Sequence, residues 1–240
     1  MSGRVSYLGG IVKDGLVLDL DAGKLDSYNR LGTTWNDVSG NGNNGTLTNF
    51  SSPSPQTIWN GDNGGSIIFD GTNDYVDCGN NSIINTAVNT CTINVWFKQT
   101  VSAASYRFLT NKGPSDADEN FGLAVHYTNS KIYFDVGGSG PYIDTTYLYT
   151  LNIWYNVCVT HNRIAGSSAL KLYINGTEIP STTIQPTLTP VTNSSNFIVG
   201  SGRSNSLPFP GNISIVNLYN RALSSSEILQ NYNALKGRYI

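Results

Sequence analysis

The chain has 240 residues, of which 39% are hydrophobic and only 12% are charged, and its formal net charge is -2. Because this balance gives no extended field and no cluster of Lys and Arg, it excludes nucleic acid and anionic membrane surfaces as partners. No apolar run approaches the roughly 18 residues that a membrane span needs, so membrane insertion is excluded as well. A chain of this length, rich in Gly, Asn, Ser and Thr, favours one domain of short strands and tight turns.

Residues 1–14 show little periodicity, and we interpret them as an N-terminal arm that precedes a single domain at 15–240. They contain no basic stretch followed by a sustained apolar core and a cleavage site, so we expect no signal peptide. The domain opens with a strand near residues 16–21, in which leucines occupy every second position. Residues 36–49 then form a loop rich in Gly and Asn, which accept turn conformations at low cost.

The segment FDGTNDYVDCG joins two short predicted strands, 66–70 and 75–78, through the sequence GTND. We expect this pair of strands to form a β-hairpin with a turn led by glycine. Asp70, Asn73 and Asp74 lie close together here, and ordinary turn chemistry explains all three. The alternative is a calcium site, because hard cations bind the carboxylate and carbonyl oxygens of loops. Calcium is the one cofactor that the sequence leaves open.

Alternation of apolar and polar residues continues through the middle of the chain. It predicts strands at 90–100, 107–111, 121–127, 131–136, 154–161 and 196–201. Residues 170–175 also alternate, and they end in Asn175-Gly176, a dipeptide typical of tight hairpin turns. We therefore predict a hairpin in which 177–179 is the return strand.

The closing part of the chain combines a strand pattern with a helix start signal. Residues 212–219 alternate, and Ser224 is followed three residues later by Glu227, which is the spacing of a capping box. A short helix is therefore predicted to start at Ser224. Many strands, frequent turn signals and one helix favour an all-β fold of two packed antiparallel sheets.

Five motifs resemble, in the same order, the laminin-G-like domains of the concanavalin A-like lectin and glucanase superfamily. They are FDGTNDYVDCG, TINVWFKQ, IWYNVCVTHN, LKLYINGTEI, and FIVGSG leading to PGNISIVNLYNRALSSSEI. The resemblance covers most of the chain from about Gly15 onward. It implies an antiparallel jelly-roll β-sandwich with a short C-terminal helix, which presents loops or a shallow sheet face to a glycan or another protein. Domains of this composition without a signal peptide resemble those of tailed-phage virions.

The superfamily also contains glycoside hydrolases, which need an acid and a base or nucleophile at a fixed separation. In the glucanase branch these carboxylates alternate on one strand as E-x-D-x-E, and this sequence has no such strand. Asp116, Asp118 and Glu119 lie in GPSDADEN, a segment typical of a loop tip. Motifs of Ser/His and Cys/His nucleophiles and of H-E-x-x-H metal sites do not occur either. We therefore expect no catalytic residue and no enzymatic activity.

Glycan recognition needs aromatic faces for sugar C–H groups, with amides or carboxylates nearby for the hydroxyl groups. Trp96 shares a predicted strand face with Asn94, and Tyr133 shares one with Asp135, while His126 should lie on a strand next to Tyr133. These five residues are the predicted glycan-binding platform. The alternative is that the aromatic rings fill space beneath long loops.

The three cysteines, Cys78, Cys91 and Cys158, are well separated and odd in number. The simplest interpretation is that they are buried free thiols that pack as small apolar residues. A Cys78–Cys91 disulfide is the alternative.

These features together predict a non-enzymatic structural or binding protein at the surface of a phage virion, as a capsid decoration, fibre or tail component. The arm at 1–14 is the candidate segment for docking onto other capsid or tail proteins, and host-surface or environmental glycans are candidate ligands. A free secreted or surface carbohydrate-binding lectin is the alternative, and a glycoside hydrolase ranks third. A homo-oligomer is compatible with the sequence.

Overall fold

The computed structural model describes residues 9–50, 58–88, 90–113, 121–128, 131–136, 142–162, 169–180 and 194–240. The strands in these ranges are β1 Leu16–Asp21, β2 Thr34–Trp35, β3 Gly45–Thr48, β4 Trp59–Asn60, β5 Ser66–Asp70, β6 Tyr75–Asp77, β7 Thr90–Gln99, β8 Arg107–Lys112, β9 Phe121–His126, β10 Lys131–Val136, β11 Tyr142–Thr146, β12 Tyr155–Asn162, β13 Ala169–Ile174, β14 Thr177–Ile179, β15 Phe197–Val199 and β16 Pro210–Tyr219. The α-helices are α1 Ser82–Asn85 and α2 Ser225–Leu235.

These strands form two eight-stranded sheets that face each other across one apolar core. The first, which we call the helix-side sheet, has the order β14-β13-β12-β7-β16-β5-β4, with β1 also paired to β16. The second, which we call the tyrosine-side sheet, has the order β11-β10-β9-β8-β15-β6-β3-β2. Neighbouring strands are antiparallel, for example β7 with β12 and β9 with β10. The predicted all-β jelly-roll sandwich with a short C-terminal helix is confirmed.

The predicted hairpin over FDGTNDYVDCG is wrong, although both of its strands exist. β5 pairs with β4 and β16 in the helix-side sheet, whereas β6 pairs with β3 and β15 in the tyrosine-side sheet. The GTND turn therefore carries the chain from one sheet to the other. Asp70 Oδ1 accepts the backbone N–H of Thr72 at 2.7 Å, and Asp74 Oδ2 accepts that of Asp70 at 2.9 Å. The turn is held by its own side chains, so no strand pairing is needed to form it.

The predicted hairpin at Asn175-Gly176 is confirmed. Ile174 pairs with Thr177, so the turn contains two residues between β13 and β14. Both turn residues have positive φ, 50° at Asn175 and 76° at Gly176. Asn and Gly adopt this left-handed conformation more readily than other residues do, which explains why the dipeptide predicts the turn.

Strand β16 departs from strict alternation because it contains an irregularity in its pairing with β7 between Ile213 and Ile215. Ile213, Val216 and Leu218 belong to the main core, while Ile215 packs with Trp96 on the outer face. The sequence pattern alone places Ile213 and Ile215 on the same side. The irregularity shifts the phase of the strand by one residue, which moves the two isoleucines to opposite faces.

Helix α2 covers the outer face of the helix-side sheet. The capping box is formed, with the Ser224 side chain accepting the Glu227 N–H and the Glu227 carboxylate accepting the Ser224 N–H. Glu227 also accepts two hydrogen bonds from the Arg221 guanidinium, which lowers the pKa of this carboxyl to about 2. On the inner side of the helix, Ile228 and Asn231 are buried.

The described part of the predicted arm, residues 9–14, lies against α2. Gly10 O accepts the Gln230 side-chain amide at 2.9 Å, and the Val12 N–H donates to Asn231 Oδ1 at 2.8 Å. Residues 1–8 lie outside the described residues, as do Asp116, Asp118 and Glu119.

All three cysteines are buried free thiols, as the simplest interpretation expected. Burial raises the pKa of the Cys91 thiol to about 12, and it also raises the pKa values of Cys78 and Cys158. A thiol that stays protonated is a poor nucleophile, so these residues act as packing groups. No helix in the described part of the chain combines the length and apolarity that a membrane crossing demands.

Candidate functional site

The candidate site lies on the outer face of the tyrosine-side sheet, over strands β8 to β11. Successive strand residues point to opposite faces, so Leu123 and Phe134 enter the core while Tyr133 and Asp135 point outward. His126 ends β9 opposite Lys131, close to Tyr133 along the same face. The prediction that His126 lies on a strand next to Tyr133 is therefore confirmed.

Four rings pack together on this face, and we call Tyr106, His126, Tyr133 and Tyr142 the tyrosine cluster. The ring centroid of Tyr106 lies 5.0 Å from that of His126 and 5.3 Å from that of Tyr133. Tyr142 lies 5.7 Å from Tyr133. The three tyrosines are half-buried, whereas His126 is 7% exposed. Their mutual packing fixes the rings and leaves part of each tyrosine in contact with solvent.

Two carboxylates accompany the cluster. Asp144 Oδ1 accepts the Tyr106 hydroxyl at 3.0 Å, and Oδ2 accepts the ammonium of Lys131. Burial and this hydrogen bond raise the pKa of Tyr106 well above its ordinary value, so the phenol keeps its proton and donates. Asp135 is 1% exposed and lies opposite Gly122 on one side and Tyr142 on the other. The site thus offers a fixed aromatic surface beside the half-buried carboxylate of Asp144.

The structure does not bring all five predicted glycan-binding residues together. His126, Tyr133 and Asp135 share the outer face of the tyrosine-side sheet, but Asn94 and Trp96 belong to β7 in the helix-side sheet. Trp96 is 1% exposed because it stacks on Tyr239, with ring centroids 4.0 Å apart, and on Tyr232 of α2 at 5.6 Å. The residue forms part of the contact between the sheet and the C-terminal segment.

Asn94 belongs to a buried chain of hydrogen-bonded side chains that we call the amide ladder. Asn156 Nδ2 donates to Asn94 Oδ1 at 2.8 Å, Asn94 Nδ2 donates to Asn217 Oδ1 at 3.0 Å, and Asn217 Nδ2 donates to Asp19 Oδ1 at 2.8 Å. All four side chains are at most 2% exposed. Burial raises the pKa of the Asp19 carboxyl, while Lys24 and Lys13 oppose that rise. The ladder pairs most of the polar atoms that burial removes from water, although Asn156 Oδ1 accepts no hydrogen bond from the described residues.

Three members of the site were missed by the sequence reasoning: Tyr106, Tyr142 and Asp144. Tyr142 and Asp144 lie on β11, a strand that was not predicted, although Tyr142, Asp144 and Thr146 alternate with Ile143 and Thr145. That period-2 pattern is the signal that could have found them. Tyr106 precedes β8 and has no neighbouring alternation that points to its position.

The candidate calcium ligands remain a prediction. Asp70 and Asp74 already accept backbone N–H groups of their own turn, and the Asn73 carbonyl accepts the Asn49 side-chain amide at 3.2 Å. Burial raises the pKa of the Asp74 carboxyl to about 6. Within the described ranges, no group of three or more His, Cys, Asp or Glu side chains is arranged to hold a metal ion.

Residues 70–229 match the family model described as the concanavalin A-like lectin/glucanases superfamily. A comparison with curated protein sequences found no match.

Several solved structures share the fold. One is the Trypanosoma rangeli sialidase in complex with sialic acid, with a TM-score of 0.66, 19% identity and 93% of this chain covered. This chain spans 33% of the length of that sialidase. Domain 4 of AbnA, an extracellular arabinanase from Geobacillus stearothermophilus, in complex with arabinotriose, has a TM-score of 0.63 and 19% identity, with 90% of this chain and 98% of that one covered. The binding domain of Paraclostridial Mosquitocidal Protein 1 has a TM-score of 0.61 and 21% identity, covering 92% of this chain and 52% of that one. At these identities the likeness shows the fold alone.

Proposed function

We infer that this chain, which belongs to the concanavalin A-like lectin/glucanases superfamily, binds a glycan without cleaving it. The fold is that of a carbohydrate-binding domain of the lectin and glucanase type. The proposed contact surface is the tyrosine cluster together with the half-buried carboxylate of Asp144, whereas Asp135 is too buried to touch a ligand.

The observation that carries this proposal is the packing of three half-exposed tyrosines around fixed acceptors. Tyr106 is held by the carboxylate of Asp144, and Tyr133 packs between Tyr106 and Tyr142. A sugar ring can lay its C–H face on these rings while its hydroxyl groups reach the neighbouring polar atoms. Because the rings are already ordered by one another, binding costs little side-chain entropy.

The same geometry argues against hydrolysis. Asp135 and Asp144 lie diagonally on adjacent strands, since Asp135 pairs with Tyr142 and Asp144 pairs with Tyr133. Both oxygens of Asp144 are engaged, one by Tyr106 and one by Lys131, and Asp135 is 1% exposed. A glycosidase needs one carboxyl group free to donate a proton and another free to attack or activate water. Neither described carboxylate is presented in that way.

Glycan binding by this face can be tested by isothermal titration calorimetry. The probes are cello-, xylo-, manno- and arabino-oligosaccharides, including arabinotriose, with sialyllactose as the acidic member of the panel. We expect at least one neutral probe to bind, and Tyr133→Ala to weaken it by about tenfold or more. Tyr133→Phe keeps the ring and is expected to retain most of the affinity.

Two controls make the outcome decisive. Trp96→Phe, on the other sheet, should leave the affinity of the folded protein unchanged. Absence of binding to every probe, or equal affinity for wild type and Tyr133→Ala, would overturn the proposed function. Release of reducing sugar from any probe would overturn its non-enzymatic part.

We further propose that this binding takes place on a tailed-phage virion, with the chain as a capsid decoration, fibre or tail component. The support is the resemblance of the motifs and a composition that carries solubility on uncharged polar groups, with 25 Gly and only 12% charged residues. Peptides of this chain in density-purified particles would support the setting. Deletion of residues 1–8 should reduce incorporation, and full incorporation of that variant would remove the docking role of the arm.

A further inference from the structure

One cross-strand row crosses the outer face of the tyrosine-side sheet from β3 to β11. Its members lie directly opposite one another in successive strand pairs: Thr46, Asp77, Ile198, Asn111, Gly122, Asp135 and Tyr142. We call this the polar row; its middle members Ile198, Asn111, Gly122 and Asp135 are buried, while Thr46, Asp77 and Tyr142 remain accessible. Neighbouring strands lie about 4.8 Å apart, so its six spacings span about 29 Å. The Tyr142 end belongs to the tyrosine cluster, and the Thr46 end lies far across the same face.

Two open depressions lie over the Thr46 end of the polar row, and Asp77 lines both of them. The first has a volume of about 520 Å³, and its lining includes Asn43, Asn44, Thr46, Asp77 and Asn80. The second has a volume of about 320 Å³, and its lining includes Asp77, Asn111, Asn196, Ser204 and Asn205. Amide, hydroxyl and carboxylate groups dominate both linings, and such groups are the usual partners of ligand hydroxyls.

Buried groups fix the walls of these depressions. Lys112 is fully buried, and its ammonium donates to Asn80 Oδ1 at 2.8 Å and to the backbone carbonyl of Ser195. Asn80 lines the first depression and Ser195 lines the second, so the Lys112 side chain connects the walls of both depressions.

Asn43 supplies an independent sign of a ligand. It lines the first depression and is 2% exposed, yet its Oδ1 accepts no hydrogen bond from the described residues. A buried amide oxygen without a donor is energetically unfavourable. A hydroxyl donor from a bound molecule would remove that cost.

Charge restricts the class of ligand. The charged residue in both linings is Asp77, while the Lys112 ammonium is buried behind them and is bound to Asn80 and Ser195. Lys131 of the adjoining cluster is already paired with Asp144. A ligand with carboxylate or sulfate groups along its length would meet like charge, so an uncharged ligand fits this face better.

From this geometry we propose that the two depressions at the Thr46 end of the polar row are further sugar subsites, and that the ligand is a linear, uncharged glycan reaching from the tyrosine cluster to Thr46. This inference rests on the proposed function. It extends that function from one stacking site to a surface whose affinity depends on the length of the glycan. A span of about 29 Å is too long for one sugar and suits a chain of about six.

The test measures affinity against chain length in the neutral series that binds best, from the disaccharide to the hexasaccharide. We expect the hexasaccharide to bind about tenfold tighter than the trisaccharide or better. Thr46→Val and Asn196→Ala change exposed residues of the depressions, so both variants should fold normally, as melting curves can verify. They should lose several-fold affinity for the hexasaccharide and none for the trisaccharide. Thr72→Val, at an exposed turn position outside the row, is the matched control and should change neither affinity.

The two proposals fail in different ways. If no neutral probe binds the wild-type protein, the proposed function fails and this inference falls with it. If the trisaccharide and hexasaccharide bind equally, or if Thr46→Val and Asn196→Ala behave like Thr72→Val, only the further subsites are overturned. If sialyllactose binds more tightly than every neutral probe, only the assignment of an uncharged ligand is overturned.

Discussion

The outer faces of the two sheets carry similar sequence patterns, but one face is buried and the other stays partly exposed to solvent. On β7, Asn94 and Trp96 point away from the core, just as Tyr133 and Asp135 do on β10. Trp96 is 1% exposed beneath the C-terminal segment, while Tyr133 keeps part of its ring in solvent. Strand alternation tells which side of a sheet a residue occupies. It does not tell what covers that side, which depends on where a distant helix docks.

The two faces also treat polar groups differently. On the helix-side sheet, buried amides pair with one another and with Asp19 in a ladder. On the tyrosine-side sheet, depressions over the polar row are lined by amides and hydroxyls that a ligand can reach. Side chains of the first face should therefore matter for stability, and those of the second for binding. Four substitutions test this contrast.

Trp96→Ala should have the largest effect on stability. It removes a fully buried ring that stacks on Tyr232 and Tyr239, and such truncations cost about 3 to 5 kcal/mol. Urea denaturation followed by circular dichroism measures the loss. Trp96→Phe retains a ring between the two tyrosines and should cost clearly less. A stability close to wild type for Trp96→Ala would mean that α2 does not cover this face.

Asn94→Ala should cost about 2 kcal/mol, because it leaves Asn217 Oδ1 buried without its donor and removes the shorter of the two hydrogen bonds of Asn156 Nδ2. The same denaturation experiment measures it. Asn73→Ala, at an exposed position of the GTND turn, is the matched control in calcium-free buffer and should stay within about 0.5 kcal/mol of wild type. Equal effects of the two substitutions would contradict the role of the amide ladder.

Glu227→Gln should destabilise the protein by about 0.5 to 1 kcal/mol at pH 7, since it removes the partially exposed pair with Arg221. The Arg221 hydrogen bonds lower the folded-state pKa of Glu227 to about 2, below its ordinary value of 4.5. A lowered pKa gives stability that is present above pH 4.5 and is lost as the pH falls towards 2. The difference between wild type and variant should therefore shrink over that interval. A difference that stays constant down to pH 2 would argue against the ion pair.

Tyr133→Ala should lower the stability by only about 1 kcal/mol, because the ring is half-buried between Tyr106 and Tyr142 and belongs to none of the core clusters. Its effect on glycan affinity should be larger, as proposed above. Thermal melting of the variant beside Tyr133→Phe measures the first quantity. A loss of several kcal/mol would show that the cluster is a structural element and would remove the contrast between the faces.

The strands and the C-terminal helix could be predicted because they depend on residues that are close together in the sequence. Alternation marks β7, β9 and β10, and the Asn175-Gly176 turn and the Ser224 cap each follow from the conformational preferences of a few neighbouring residues. Which of the two sheets a strand joins depends on residues far away in the sequence. The FDGTNDYVDCG segment looks like a hairpin, yet its two strands enter different sheets because their partners lie far away in the chain.

The candidate site was predicted in part for the same reason. His126, Tyr133 and Asp135 come from adjacent strands that the pattern reveals, and the structure places them on one face. Trp96 and Asn94 share the pattern, but long-range packing buries Trp96 against α2 and Asn94 in the amide ladder. Tyr106 comes from an irregular segment, and its place depends on contacts with Asp144 and His126 that no short pattern encodes.

The position of β16 has a consequence for how the protein is made. This strand is the last one in the chain, yet it lies between β7 and β5 and also pairs with β1. While the ribosome is still translating earlier residues, the sheet has a gap at its centre and the N-terminal strand has no partner there. Such late, long-range closure is slow and leaves apolar strands unprotected in the meantime. A nascent chain truncated before residue 210 should therefore be prone to aggregate, although it already contains most of its strands.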